Sequence, residues 1–305
     1  MTHQGGHELP APTELFARPF ERPETTQMLG VIAAGYTEAD IIEAGRVFGH
    51  SADGVDEALG DLPAVLPHIH QLSDALSTQN PDNVHLIAAR DGELLYDDFS
   101  VTHPDVKSHL MPASIDLLLS DDMTGELGRR FLARFDLDAT TIKKTDRHFT
   151  IVDTGFSGTV FVHLADIIEV LYRTSLRRSG RLDIKLVCAD IHTANGPQII
   201  DYATEEVPRD AVLLPHTAAR LGGSFAHEKH SRRNSPTMLL ATALQLMPRY
   251  HEAFDGLVED GGKVMAHAAD SAPTEFMLCN ASNVNPIAAA IAQYRVIQSA
   301  LRRQP

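Results

Sequence analysis

Short apolar runs that alternate with helix-compatible segments limit this chain more than any other feature. The runs lie at residues 84–89, 149–152 and 181–189, with amphipathic segments between them. A strand buried on both faces reads as a continuous apolar run, and parallel strands need a crossover that is usually a helix. The pattern therefore predicts βαβ units and a mainly parallel sheet. The best-marked unit is Arg147-His-Phe-Thr-Ile-Val-Asp-Thr-Gly-Phe-Ser-Gly-Thr-Val-Phe-Val-His163. Its apolar run ends in Asp153, passes through a loop of small polar residues, and re-enters an apolar segment predicted to be a helix. A second unit runs from the strand at 84–89 through Arg90-Asp91-Gly92 into a helical turn at 93–99. In a parallel sheet both loops lie at the carboxyl edge of the strands, where ligands bind.

The expected fold is α/β: a mainly parallel, Rossmann-like sheet with a helical N-terminal cap and a helical C-terminal region. Residues 1–27, with Pro10, Pro12, Pro19 and Pro23, read as a poorly ordered arm. Residues 28–79 read as the helical cap. There Thr37-Glu-Ala-Asp40 has the form of a capping box for a helix that Gly49 ends, and a second helix at 64–76 is interrupted near its start by Pro67. The α/β phosphate-binding core spans 80–210, with a weakly extended piece at 109–112 and a helix at 115–135. Asp121-Asp122 reads as a helix N-terminal feature. Residues 211–305 read as a mostly helical region packed on the core, with a strand at 211–214 and helices at 235–247 and 285–301, Pro236 and Pro286 lying in their first turns.

With 305 residues, 43% of them apolar, the chain can bury a sizeable core. A net charge of −15 argues against nucleic-acid and membrane partners, because both require a basic footprint. There is no apolar run of membrane-spanning length and no signal-peptide pattern at the N-terminus, which predicts a cytoplasmic protein. Cys188 and Cys279 sit in or beside apolar runs and read as reduced structural thiols. The histidines of His68-Ile-His70 alternate and read as incidental. Those of His227-Glu-Lys-His230 are three apart, not the four of the zinc helix motif, so no metal ligands are assigned.

The chemistry of the two loops points to an anion. Thr154, Gly155, Ser157, Gly158 and Thr159 offer backbone N–H groups, hydroxyls and a helix N-terminus, while Asp153 offers a carboxylate to sugar hydroxyls. Arg90 suits a bidentate grip on phosphate, Asp91 suits a metal ion or a hydroxyl, and Gly92 relieves the turn. The most basic segment of this acidic chain, 221–236, offers Lys229, His230, Arg232 and Arg233 as a phosphate- or substrate-covering loop. An ordinary βα turn needs the same small residues, so the structural explanation stands beside the functional one. So does a third: apolar-apolar-Asp153-Thr-Gly resembles the motif of retroviral-type aspartic proteases, which would require an all-β fold.

Residues 80–190 resemble the core of the type I phosphoribosyltransferases. Arg90-Asp91-Gly92 matches the early loop that meets pyrophosphate in that family, and Ile151-Val-Asp-Thr-Gly-Phe-Ser-Gly-Thr159 matches the later loop that cradles the 5′-phosphate. The resemblance implies that Asp153, Arg90 and Asp91 serve catalysis, that residues 154–159 hold phosphate, and that Mg²⁺ is a cofactor. The substrate it implies is a small phosphosugar or nucleotide, and a homodimer is compatible with it. The family places two adjacent acids at the end of the later strand; here Thr154 stands in the second position. That departure keeps a non-catalytic nucleotide- or phosphosugar-binding protein in view. The chain is also similar to uncharacterised regions that accompany haloacid-dehalogenase-like hydrolases. Phe135-Asp-Leu-Asp-Ala-Thr140 has the letters of that nucleophile motif, which would make Asp136 the nucleophile and Asp138 the acid/base, provided that a strand precedes them.

Overall fold

The computed structural model describes residues 24–47, 59, 62–89, 92–153, 159–190, 198–201, 211–213, 254–268 and 286–304. In chain order these form α1 (Thr25–Ala33), α2 (Glu38–Val47), α3 (Leu62–Gln79), β1 (Val84–Ala88), α4 (Glu93–Thr102) and β2 (Ser108–Met111). There follow α5 (Ile115–Leu119), a 3₁₀ turn (Asp121–Thr124), α6 (Glu126–Ala133), α7 (Ala139–Lys144), β3 (Phe149–Asp153), α8 (Thr159–Tyr172) and β4 (Leu182–Asp190). The last elements are β5 (Gln198–Asp201), β6 (Ala211–Leu213), β7 (Phe254–Asp260), β8 (Lys263–Ala268) and α9 (Pro286–Leu301).

Strands β2, β1, β3 and β4 lie side by side and parallel, and β5 and β6 add antiparallel pairings to β4. The alternation of side chains along each strand divides the core between the two faces. Val84 and Leu86 of β1, with Phe149 and Ile151 of β3, pack against α5, α6, α7 and α8. Ile87 and Val152 point the other way, onto α1, α2, α3, α4 and α9. The N-terminal helices are thus half of a layer, completed by the C-terminal helix. Arg295 of α9 grips Glu38 of α2 with two hydrogen bonds of 2.7 and 2.9 Å, and Gly45 lets the helices cross closely, since a Cβ there would stand 2.4 Å from Ile287.

Several local expectations hold for the reasons given. Thr37 and Asp40 cap α2 reciprocally, the Thr37 N–H reaching Asp40 Oδ2 at 2.6 Å and the Asp40 N–H reaching Thr37 Oγ1 at 3.4 Å. The interruption expected at Pro67 is a correction: α3 runs through it from Leu62 to Gln79. The helix expected at 115–135 is broken, because Ser120 and Gly125 are extended and each starts a new turn. Gly128 is required there by space: a Cβ would meet the Met123 carbonyl oxygen at 2.1 Å.

Among the described residues of the C-terminal region, a hairpin that the pattern did not announce precedes the expected terminal helix. Residues 254–268 form a hairpin whose two turn glycines, Gly261 and Gly262, both have positive φ (53° and 80°), the geometry that matches strand twist in a two-residue turn. The hairpin packs beside α6, where Arg130 pairs with Glu259 at 2.8 Å and Arg134 donates to the Val264 carbonyl at 2.7 Å. Asp122, expected only at a helix start, accepts the Leu257 N–H at 3.1 Å. The expected helix at 235–247, Gly49 and Cys279 lie outside the described residues. Among the described residues no helix is long and apolar enough to cross a membrane.

Candidate functional site

The winding of the sheet singles out one crevice. From β1 the chain crosses through α4 to β2 on one side; its later crossovers carry it past β1 to β3 and then, through α8, to β4 on the other side. The direction therefore reverses between β1 and β3. In open α/β sheets ligands bind outside the carboxyl ends of the strands at such a switch point. Ile87 of β1 is opposite Val152 of β3, so the next residues, Ala88 and Asp153, end both strands at one level.

The end of β1 and the start of α4 are joined through the main chain. The Gly92 N–H donates to the Ala88 carbonyl at 3.1 Å and the Gly92 carbonyl accepts from Tyr96 at 2.8 Å, joining strand end to helix start. A Cβ at Gly92 would stand 2.4 Å from the Ala88 oxygen and 2.7 Å from Ile87 Cγ2. Space, not backbone conformation, demands glycine here, since its φ is −88°. The first helical residue, Glu93, is buried and engaged in polar contact. Beneath the turn His85 is fully buried in β1, its ring 5.1 Å from that of Phe99. Burial pushes the His85 imidazole below its ordinary range, more than nearby backbone groups restore.

The next element after β3 is α8, whose first turn carries no acid; that of α4 carries Glu93. The difference has an electrostatic consequence. An anion is favoured at a bare helix N-terminus, while a carboxylate already placed in the first turn offsets that end's positive charge. Of the two helix N-termini, that of α8 is thus the better suited to phosphate, and an anion on the α4 side needs a cationic side chain of its own.

Of the residues singled out in the sequence, Gly92 stands at the start of α4, Asp153 at the end of β3 and Thr159 at the start of α8. Arg90, Asp91, Thr154, Gly155, Ser157, Gly158, Lys229, His230, Arg232 and Arg233 lie outside the described residues. Glu93 is a site neighbour that the apolar pattern concealed; its position immediately after Gly92 was the available signal. Among the described residues no group of three His, Cys, Asp or Glu side chains is placed to hold a metal ion.

Two competing assignments meet structural facts. Asp153 ends a strand of a mostly parallel sheet and is followed by a helix, which is not the all-β setting that an aspartic protease needs. Asp136 and Asp138 lie in the turn between α6 and α7, with no strand before them. Asp138 caps α7, accepting from the Thr140 and Thr141 N–H groups at 2.7 and 3.1 Å. Asp136, at φ 61°, is bound by Lys107 at 2.6 Å and His109 at 2.8 Å. Comparison of the chain with protein-family models, curated proteins and solved structures returns no match.

Proposed function

We propose that this chain is a phosphoribosyltransferase-like enzyme that binds a phosphosugar or nucleotide at the switch point of a Rossmann-like sheet. The observation that carries the proposal is the adjacency of β1 and β3 where the winding reverses, which brings the starts of both following loops to one crevice. In this scheme residues 154–159 and the start of α8 hold the phosphate, Asp153 accepts from ribose hydroxyls, and Arg90 binds pyrophosphate. Lys229, His230, Arg232 and Arg233 cover the substrate. Such chemistry needs mainly positioning and charge compensation while the anomeric carbon gains positive charge and the leaving group departs.

Mg²⁺, when bound, would neutralise the pyrophosphate. Asp91 and Asp153 are the oxygen donors of suitable type, and few protein ligands are needed because Mg²⁺ commonly takes the rest from phosphates and water. The second reading is a non-catalytic binding protein, favoured by Thr154 in the place of a second acid. Phosphoribosyl pyrophosphate with Mg²⁺ is expected to raise the melting temperature, and Asp153→Asn to abolish the rise. No shift with any phosphosugar overturns both readings. A shift without pyrophosphate release in the presence of any nucleobase acceptor leaves the binding protein.

A further inference from the structure

Serine and threonine hydroxyls in helices commonly satisfy themselves on carbonyls three or four residues back. This chain follows that habit: Ser77 donates to Asp74 at 2.9 Å, Ser100 to Asp97 at 3.2 Å and Thr102 to Asp98 at 2.8 Å. Ser299 of α9 departs from it. Its Oγ lies 2.9 Å from Nε2 of His70 on α3, a residue 229 positions away. The other ring nitrogen, Nδ1, lies 2.5 Å from Oδ1 of Asp98 on α4. The Asp98 side chain is fully buried, and its second oxygen takes Arg303 at 3.3 Å.

The direction of these bonds follows from the partners. A carboxylate accepts only, so in the neutral imidazole the proton is on Nδ1 and Nε2 turns its lone pair to the serine hydroxyl. That is the order nucleophile, base and orienting acid that makes a serine reactive, and it is recognised by geometry rather than sequence order. Three helices assemble it, with no nucleophile-elbow motif to announce it. The group is not sealed off: the His70 side chain is 16% exposed, and Ser299 is half-buried. It is also distinct from the crevice, for Asp98 stands six residues along α4 from Gly92, about 9 Å of helix rise.

We propose that Ser299 is an activated serine, a site of covalent acylation by reactive esters. Its Oγ bonds to the carbonyl carbon as its proton passes to Nε2 of His70. The resulting imidazolium is held by Asp98, the carbon–oxygen bond to the leaving alcohol breaks, and the alcohol departs with that proton. A fluorophosphonate reports the same nucleophile: Oγ bonds to phosphorus, fluoride leaves, and the proton goes from His70 to solvent.

The test is labelling of the full chain with a fluorophosphonate probe, followed by intact mass and peptide mapping. One label per chain is expected, on Ser299. Ser299→Ala should remove it, and His70→Gln should slow it about 100-fold, a typical contribution of a positioned base. The proposal is overturned if Ser299 labels no faster in the folded chain than in urea, or if folded His70→Gln labels at the wild-type rate. Should His70→Gln not fold, the comparison of folded with urea-unfolded wild type decides alone.

Discussion

Gly92→Ala is the substitution that most directly probes the turn between β1 and α4. The added methyl would start 2.4 Å from the Ala88 carbonyl oxygen, where ordinary contact begins at 3.4 Å, so strand end and helix start must separate by about 1 Å. Overpacking of this kind costs about 1–3 kcal/mol. The separation also strains the Gly92 N–H bond to Ala88, 3.1 Å long, worth about 1 kcal/mol more. A total of roughly 2–4 kcal/mol corresponds to a fall in melting temperature of about 3–6 °C in a chain of this size. Gly35→Ala is the control. Its methyl meets nothing within 4 Å, but φ is +84°, so only backbone strain of about 1–2 kcal/mol is expected. Melting curves of both variants decide the matter. A Gly92→Ala protein that melts within about 1 °C of wild type, or that loses no more than Gly35→Ala, refutes the steric account.

Two pH dependences follow from buried or ion-paired groups. His85 has a folded pKa below its ordinary 6.5, so its contribution to stability is complete above that value and is lost as pH falls towards the folded pKa, by at most about 1.4 kcal/mol per pH unit. Urea unfolding of His85→Leu against wild type should show a smaller loss between pH 7 and 5 in the variant; parallel losses would contradict it. Asp136 is raised by burial, but the hydrogen bonds and charges of Lys107 and His109 outweigh this and leave it below 3.8. Asp136→Asn, which keeps a residue tolerant of positive φ, should cost about 1 kcal/mol at pH 7, because the paired Lys107 is itself half exposed to water. That difference should shrink as pH falls from 7 into the acid range, and a difference that stays constant with pH would refute it.

Strands β1, β3 and β4 are legible in the sequence because burial on both faces leaves a continuous apolar run, and their carboxyl-end loops are legible because small residues there have few other reasons to cluster. The adjacency of β1 and β3 is not legible, since strand order is decided by crossovers and not by local pattern. The hairpin at 254–268 hides for another reason. One of its faces is exposed, so its apolar signal is weak, and Asp260-Gly-Gly-Lys263 was its only strong mark. His70 looks incidental beside His68 because its partners come from positions 28 and 229 residues away.

The joining of first and last helices in one layer governs how the chain can acquire its structure. Arg295 meets Glu38 across 257 residues, and Ile287, Ile291 and Ile297 share a core with Met28, Val31 and Ile41. Contacts so distant in sequence carry a large loop-closure cost and form late. During synthesis one side of the sheet therefore carries only α1–α4 until α9 has left the ribosome, although the opposite side, built from residues 84–184 and a later hairpin, can largely close first. The apolar face under α9 is the surface that chaperones would meet on the nascent chain.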